Sequence, residues 1–232
     1  MGDRIFTRRA FLVGAGATLA ACNTEEPRTG VLGAVEQWNE RIQRALFDPN
    51  RLAPVPALSE STPADKFPTY HISDSIPLAP EGWSLKVSGL CARPRSFSLA
   101  ELRTMPSTEV RVRHHCVEGW TAVATWQGVK LSTLAEAVGV DPRAGYVDFR
   151  SFDEDYSSSW DRASATHAQT ILAYGVDGHE LTPARGAPLR LYAGVKLGYK
   201  LVKYLTEVVF LPDKPVAQGY WEDQGYEWYA GV

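Results

Sequence analysis

The residues best suited to chemistry lie together at 111–120, Arg-Val-Arg-His-His-Cys-Val-Glu-Gly-Trp. Cys116 is a soft ligand and, once deprotonated, a nucleophile; nearby positive charge favours the thiolate. Arg111, Arg113, His114 and His115 precede it and can supply that charge, while Glu118 and Trp120 follow. Val110 and Val112 alternate with Arg111 and Arg113, the period-two pattern of a strand that delivers Cys116 at its end. Side chains two apart on a strand share a face, so His114 rather than His115 is placed to act with Cys116. Spacing leaves three readings open: a buried structural thiol, a metal ligand, and a thiol nucleophile with His114 or His115 as base.

A second group is cationic. Arg190, Lys196, Lys200 and Lys203 crowd together near Gly194 and Gly198. Glycines let a ligand approach the backbone closely, and the basic side chains supply charge for an anion. The same pattern also describes a solvated basic edge strand. Cys91 sits beside Arg93 and Pro94 with nothing near it at metal-ligand spacing. The three cysteines, Cys22, Cys91 and Cys116, make neither a disulfide framework nor an iron–sulfur set, and no Cys-x-x-Cys-His haem motif occurs.

Three segments in order carry a resemblance: His115-Cys116-Val117-Glu118-Gly119-Trp120, Ile171-Leu172-Ala173-Tyr174-Gly175-Val176-Asp177-Gly178, and Gly186-Ala187-Pro188-Leu189-Arg190-Leu191. They resemble the sulfite oxidase superfamily of molybdopterin-dependent oxidoreductases, in the branch that contains the periplasmic methionine sulfoxide reductase catalytic subunits. The resemblance runs over roughly residues 67–229. It implies a sulfite oxidase-like fold and a Mo-molybdopterin cofactor, with Cys116 as both catalytic residue and metal ligand. It implies that Arg190 and Leu201-Val202-Lys203 bind the pterin phosphate, that Ser151 and His167 contact the cofactor, and that His71 and Arg185 do so at positions where the reductases carry asparagine. It implies two-electron oxygen-atom transfer on a small or protein-bound substrate such as a sulfoxide, in a pocket lined by His114, His115, Glu118 and Trp120. True sulfite oxidases carry an arginine soon after the metal cysteine; Val117-Glu118-Gly119-Trp120 stands here instead, which argues against sulfite. Electrons must pass to or from an external partner, a membrane haem protein or a soluble cytochrome. A metal-free binding lipoprotein on the same fold and a cysteine-dependent thiol enzyme are the alternatives, and metal analysis separates them.

The elements that must position these residues read as follows. The chain has 232 residues, 44% hydrophobic, with seven tryptophans, enough for one sizeable core. A formal charge of −3 gives no case for nucleic acid. Trp83, Leu85 and Val87 alternate with polar residues in a strand ended by Gly89. Ser98 with Glu101 forms a capping box that starts a short helix through Arg103. Ser132 is expected to cap a second helix with Leu131, Leu134, Ala135 and Val138 on one face and Gly139 at its end. Strands are expected at Tyr146–Phe152, Ile171–Val176, His179–Leu181, Leu189–Val195 and Val202–Leu211, with Asp177-Gly178 as a hairpin turn. An acidic stretch, Asp153-Glu154-Asp155, follows the first of these. No βαβ rhythm appears, so an α+β fold, mostly β mixed sheets with short helices, is expected.

The N-terminal part reads as targeting and tether. Thr7-Arg8-Arg9-Ala10-Phe11-Leu12 has the twin-arginine form of an export signal, followed by an apolar run from Ala10 to Ala21. Leu19-Ala20-Ala21-Cys22 has the form of a lipoprotein signal-peptidase site, so residues 1–22 are a signal peptide with a lipobox and Cys22 the lipidated N-terminus. Removing residues 1–21 takes away Arg4, Arg8, Arg9 and Asp3, leaving 21 basic and 26 acidic side chains. Twin-arginine export carries folded proteins, which suits a cofactor inserted before export. The expected location is periplasmic or extracytoplasmic, with the membrane reached through the lipid anchor. Residues 23–66 make a tether, an amphipathic helix over Val31–Phe47 and a proline-rich connector. Residues 67–232 are the molybdopterin-binding oxidoreductase domain.

Overall fold

Residues 30–153 and 156–232 are described by the structure, a computed structural model. The expected signal peptide, Cys22 and most of the tether lie outside the described residues, as do Glu154 and Asp155.

Helix α1 (Gly30–Leu46) leads into the compact unit that begins at Glu40. Its end docks through polar groups rather than through the apolar stripe expected from spacing. Glu40 accepts from Lys214 Nζ at 2.7 Å, Arg44 donates to the Tyr146 hydroxyl at 3.3 Å, and Leu46 stays 80% exposed. No helix among the described residues is long and apolar enough to cross a membrane.

Among the described residues, ten strands form two sheets. They are β1 (Leu85–Gly89), β2 (Arg95–Phe97), β3 (Ser107–His115), β4 (Thr121–Lys130), β5 (Tyr146–Ser151), β6 (Ser157–Asp161), β7 (Ile171–Val176), β8 (His179–Glu180), β9 (Arg190–Tyr192) and β10 (Leu205–Leu211). The first sheet has the order β2-β1-β10-β5-β6. Its β1–β10 pair is parallel, and the rest is antiparallel. The second has the order β3-β4-β7-β8, with β9 also on β7. Three short helices connect them: α2 (Leu99–Thr104), α3 (Leu131–Val138) and α4 (Arg162–Ala165). Leu85, Val87, Phe149, Val208 and Phe210 from one sheet and Val112, Trp126, Leu172 and Leu191 from the other belong to one buried cluster. The α+β, mostly sheet architecture is the one the sequence predicts.

Local signals hold where side chain and backbone agree. Ser98 Oγ accepts from the Glu101 amide while Glu101 accepts from the Ser98 amide, the reciprocal capping box. Asp177 and Gly178 take φ of 49° and 78°, and close the β7–β8 hairpin. Differences arise where tertiary context decides. Lys130, not Ser132, is the residue before α3; the chain enters the helix straight from β4, and the amide of Leu131, the first residue of α3, bonds to Thr170 O. Strands β2, β4 and β6 carry no period-two signal. Strand β4 is buried on both faces, with Ala122, Val123, Ala124, Gly128 and Val129 all covered, so alternation is absent. Strands β9 and β10 are shorter than expected, because a 3₁₀ turn (Gly198–Lys200) and the irregular residues around it interrupt the run.

Candidate active site

Strand β3 buries Val110, Val112 and His114 on one face, as alternation requires, and ends at the loop Cys116–Trp120. The loop is closed by Cys116 N bonding to Trp120 O and Gly119 N to Cys116 O, both at 3.0 Å. This places the thiol on the wall of a cleft of about 470 Å³. The other walls come from the segment Phe67–Ile72, from Asp153 and Tyr156, from residues between Arg185 and Tyr204, and from Tyr220, Trp221 and Tyr226 near the C-terminus.

The cleft gathers His71, Cys116, Arg185, Arg190, Leu201 and Lys203 from the predicted set, with His114, Glu118 and Trp120. It does not gather the rest. His167 is buried elsewhere, its Nε2 at 3.2 Å from Arg51 O and its Nδ1 accepting from the Gln169 amide. Val202 is a core residue. Ser151 lies behind the wall, where its hydroxyl accepts from the Asp153 amide. His115 turns away, with Nδ1 at 3.4 Å from Thr121 Oγ1. The cationic run also divides. Lys200 is bound to Glu222 and to Ser159 O, and Lys196 to Tyr229 O and Asp161, so both leave the cleft for buried ion pairs.

The thiol is not flanked by cations. Arg111 donates to Pro56 O and Arg113 pairs with Glu60. His114 is held neutral, its pKa pushed down to about 3 by burial and by Arg190. Burial, with the Glu118 carboxylate, pushes the Cys116 thiol up. Glu118 Oε2 lies 3.8 Å from Cys116 Sγ and accepts from Trp120 Nε1 at 3.0 Å. Such an environment opposes a free thiolate nucleophile, whereas a bound metal cation deprotonates a coordinating thiol outright. The thiol-enzyme reading loses its physical basis here.

Deeper in the cleft sits an unbalanced positive charge. Arg190 is buried under Trp126, with its guanidinium 4.6 Å from the ring centroid, and donates only to the carbonyls of Arg185 and Leu201. Among the described residues its Nε has no partner, and neither do His114 Nδ1 or the Tyr204 hydroxyl. Burial lowers its pKa to about 10. Lys203, beside it, is pushed down to about 7 by burial and by Arg190. A Cβ at Gly186 would lie 2.9 Å from Lys203 Cβ and 3.3 Å from Arg190 Cβ, so glycine is what lets these stems close up. Buried cations without carboxylates are costly, and an anion offsets that cost. Gly198 serves His114 likewise: a Cβ there would meet its Nε2 at 2.6 Å.

Sequence reasoning missed Asp153, Tyr156, Tyr199, Tyr204 and the C-terminal aromatics. Asp153 accepts from the Ile72 and Ser73 amides at 3.1 Å and so fixes the loop that carries His71. The density of aromatic residues over 220–229 was the available signal for the C-terminal wall.

Residues 72–221 match the family model described as oxidoreductase molybdopterin binding domain. A chain of Azospira oryzae, provisionally named a protein-methionine-sulfoxide reductase subunit, is 38% identical over 231 residues, 98% of this chain and 87% of the relative. The protein-methionine-sulfoxide reductase catalytic subunit of Xanthomonas campestris pv. campestris is 36% identical over 166 residues, 65% of this chain and 51% of that protein. The chain thus spans most of the first relative and about half of the second. An uncharacterized oxidoreductase of Bacillus subtilis is 32% identical over 69% of this chain. The crystal structure of the sulfane dehydrogenase SoxCD from Paracoccus pantotrophus shares the fold, with a TM-score of 0.59, 21% identity, and coverage of 62% of this chain and 42% of that one.

Proposed function

The chain belongs to the oxidoreductase molybdopterin-binding domain family, and from that premise we propose that it reduces a sulfoxide by two-electron oxygen-atom transfer, with Mo-molybdopterin held in the cleft at Cys116. The balance is one sulfoxide, two electrons and two protons giving one thioether and one water. The cofactor supplies the oxygen-atom chemistry when bound. The protein's residues fit it. Among the described residues no cluster of three or more His, Cys, Asp or Glu could hold a metal, so a metal at Cys116 takes its other ligands from a non-protein source, as a dithiolene provides. Arg190 and Lys203, with Arg185 at the edge, offer charge-assisted hydrogen bonds to a pterin phosphate. His114, neutral and with a free Nδ1, offers one more polar contact. His71, on the Phe67–Ile72 segment that lines the cleft, would offer a further contact to the cofactor.

The observation that carries this reading is Arg190, a buried guanidinium with no carboxylate partner among the described residues, on the same cleft as Cys116. Molybdenum analysis of the full chain, expressed with its N-terminus intact, should give about one metal per chain. Cys116→Ser should abolish turnover and change the metal's absorption and EPR spectra; a fully active serine variant with unchanged spectra would remove the assignment. A metal-free wild type would restore the binding-lipoprotein reading. The sulfoxide is supported by the names of the relatives and is tested by consumption of a dye reductant with methionine sulfoxide.

Export by the twin-arginine route, a lipidated Cys22 and a periplasmic or extracytoplasmic location are proposed from the sequence at 7–22. The electron donor is proposed to be a separate membrane haem protein or soluble cytochrome, since the chain has no haem or iron–sulfur motif of its own.

A further inference from the structure

We propose that Glu118 is the charge-selecting residue of the cleft: its carboxylate, fixed beside the Cys116 thiol, favours cationic and neutral sulfoxides over anionic ones. The inference rests on the sulfoxide-reducing function proposed above and deepens it by naming the charge class of the substrate.

Three observations converge. The first is position. Glu118 Oε2 lies 3.8 Å from Cys116 Sγ, with Glu118 exposed and Cys116 half-buried, so a substrate reaching the thiol's surroundings passes the carboxylate. The second is fixation. The carboxylate accepts from Trp120 Nε1 at 3.0 Å, and Trp120 itself stacks on His114 with ring centroids 5.3 Å apart at 15°. It cannot swing away from an approaching anion without losing that bond.

The third is the lack, among the described residues, of an offsetting cation at that place. Arg111 and Arg113 are spent on Pro56 O and Glu60. His115 faces Thr121. Arg190 donates to Arg185 O and Leu201 O, and Arg185 to Ala64 O; with Lys203 they form the cluster that a cofactor anion neutralises. With those charges balanced, the field at the thiol end is that of Glu118. Tyr70 and Trp120, ring centroids 6.4 Å apart, add aromatic faces that attract cations and sulfur. An ammonium near the sulfoxide gains from this arrangement and a carboxylate or oxyanion loses.

Two measurements test it. In the holoenzyme, kcat/KM is compared for methionine sulfoxide amide, which is cationic, and N-acetylmethionine sulfoxide, which is anionic, with N-acetylmethionine sulfoxide amide as the neutral reference. A single charge felt at contact distance through partly aqueous surroundings gives a cation-to-anion preference of about tenfold at low ionic strength. Glu118→Gln should bring the ratio close to one, and added salt should do the same to the wild type. The second measurement needs no turnover. In the metal-free full chain, Cys116 is modified with 2-(trimethylammonium)ethyl methanethiosulfonate and with 2-sulfonatoethyl methanethiosulfonate, and the Cys116 peptide is followed by mass. Glu118→Gln should lower the cation-to-anion rate ratio about tenfold, and Glu118→Asp should retain most of it. Unchanged ratios in Glu118→Gln overturn the proposal. If the wild type reduces none of the three sulfoxides, the sulfoxide function falls, and the modification rates decide on Glu118 alone.

Discussion

At the scale of single residues, the cleft sets a thiol against one buried cation, Arg190, and one half-buried cation, Lys203. Charge-assisted hydrogen bonds are worth about 1.5–3 kcal/mol each, so losing one weakens cofactor retention about ten- to a hundredfold. An Arg190→Ala, Lys203→Ala double variant should therefore fold, as judged by circular dichroism, but be isolated largely without molybdenum; wild-type metal content would contradict the assignment. Lys203 also gives a pH signature. Its pKa is about 7 in the folded chain against 10.5 for a free lysine side chain. Between those values the unfolded chain binds more protons, so the contribution of Lys203 to stability rises with pH. An anion in the cleft favours the charged form, so anion affinity is level below about pH 7 and falls above it. Sulfate, whose charge is constant over this range, should raise the Tm of the metal-free protein more at pH 6 than at pH 9. Lys203→Met should erase the difference.

At the scale of elements, the C-terminal segment after β10 is a wall, although only its turns are regular. Gln218–Tyr220 pairs with β6 through Ser157 and Ser159. Glu222 accepts from Ser158 Oγ at 2.6 Å and from Lys200, both ends of the ion pair being fully buried. Trp228 Nε1 donates to Ser159 Oγ, and Lys196 Nζ to Tyr229 O. These bonds hold Tyr220, Trp221 and Tyr226 on the cleft. Removing one partner of a buried pair leaves an uncompensated charge, at a cost of about 3–5 kcal/mol. Glu222→Ala should lower the unfolding free energy by that amount, read as a lower urea midpoint at unchanged slope, and expose Trp221 and Tyr226 to chymotrypsin, while Lys200→Met with Glu222→Leu should recover most of the loss. A midpoint that Glu222→Ala leaves unmoved would show that the segment is held by its aromatic contacts instead.

At the scale of the whole molecule, the two sheets share one core, and the cleft is walled by segments from both ends of the chain, from Phe67 to Tyr226. The cleft is thus complete only once the segment that carries Tyr220, Trp221 and Tyr226 is in place. Changing Arg8 and Arg9 together to lysine should trap the precursor inside the cell, detected by fractionation, and normal export of that variant would count against the twin-arginine proposal. The same fractionation followed by intact-mass measurement should find the exported chain beginning at Cys22 with acyl mass.

The sequence by itself determined the family, the mostly sheet architecture, the capping box at Ser98, the turn at Asp177-Gly178 and the placement of Cys116 at a strand end. Each of these depends on neighbours within a few residues, or on a motif kept in order. Only the tertiary structure decided which members of the cationic run face the cleft. Arg190 and Lys203 do, while Lys196 and Lys200 are taken by Asp161 and Glu222, partners far away in the chain. It also decided that Arg111 and Arg113 pair elsewhere, leaving Glu118 beside Cys116, and that His167 and Val202 do not line the cleft. Strand β4 and the parallel β1–β10 pair were illegible for a related reason: burial on both faces erases alternation, and pairing between distant segments leaves no local trace. A charged side chain's role is fixed by whichever counter-charge the fold brings to it, and that choice is made by the folded chain rather than by spacing.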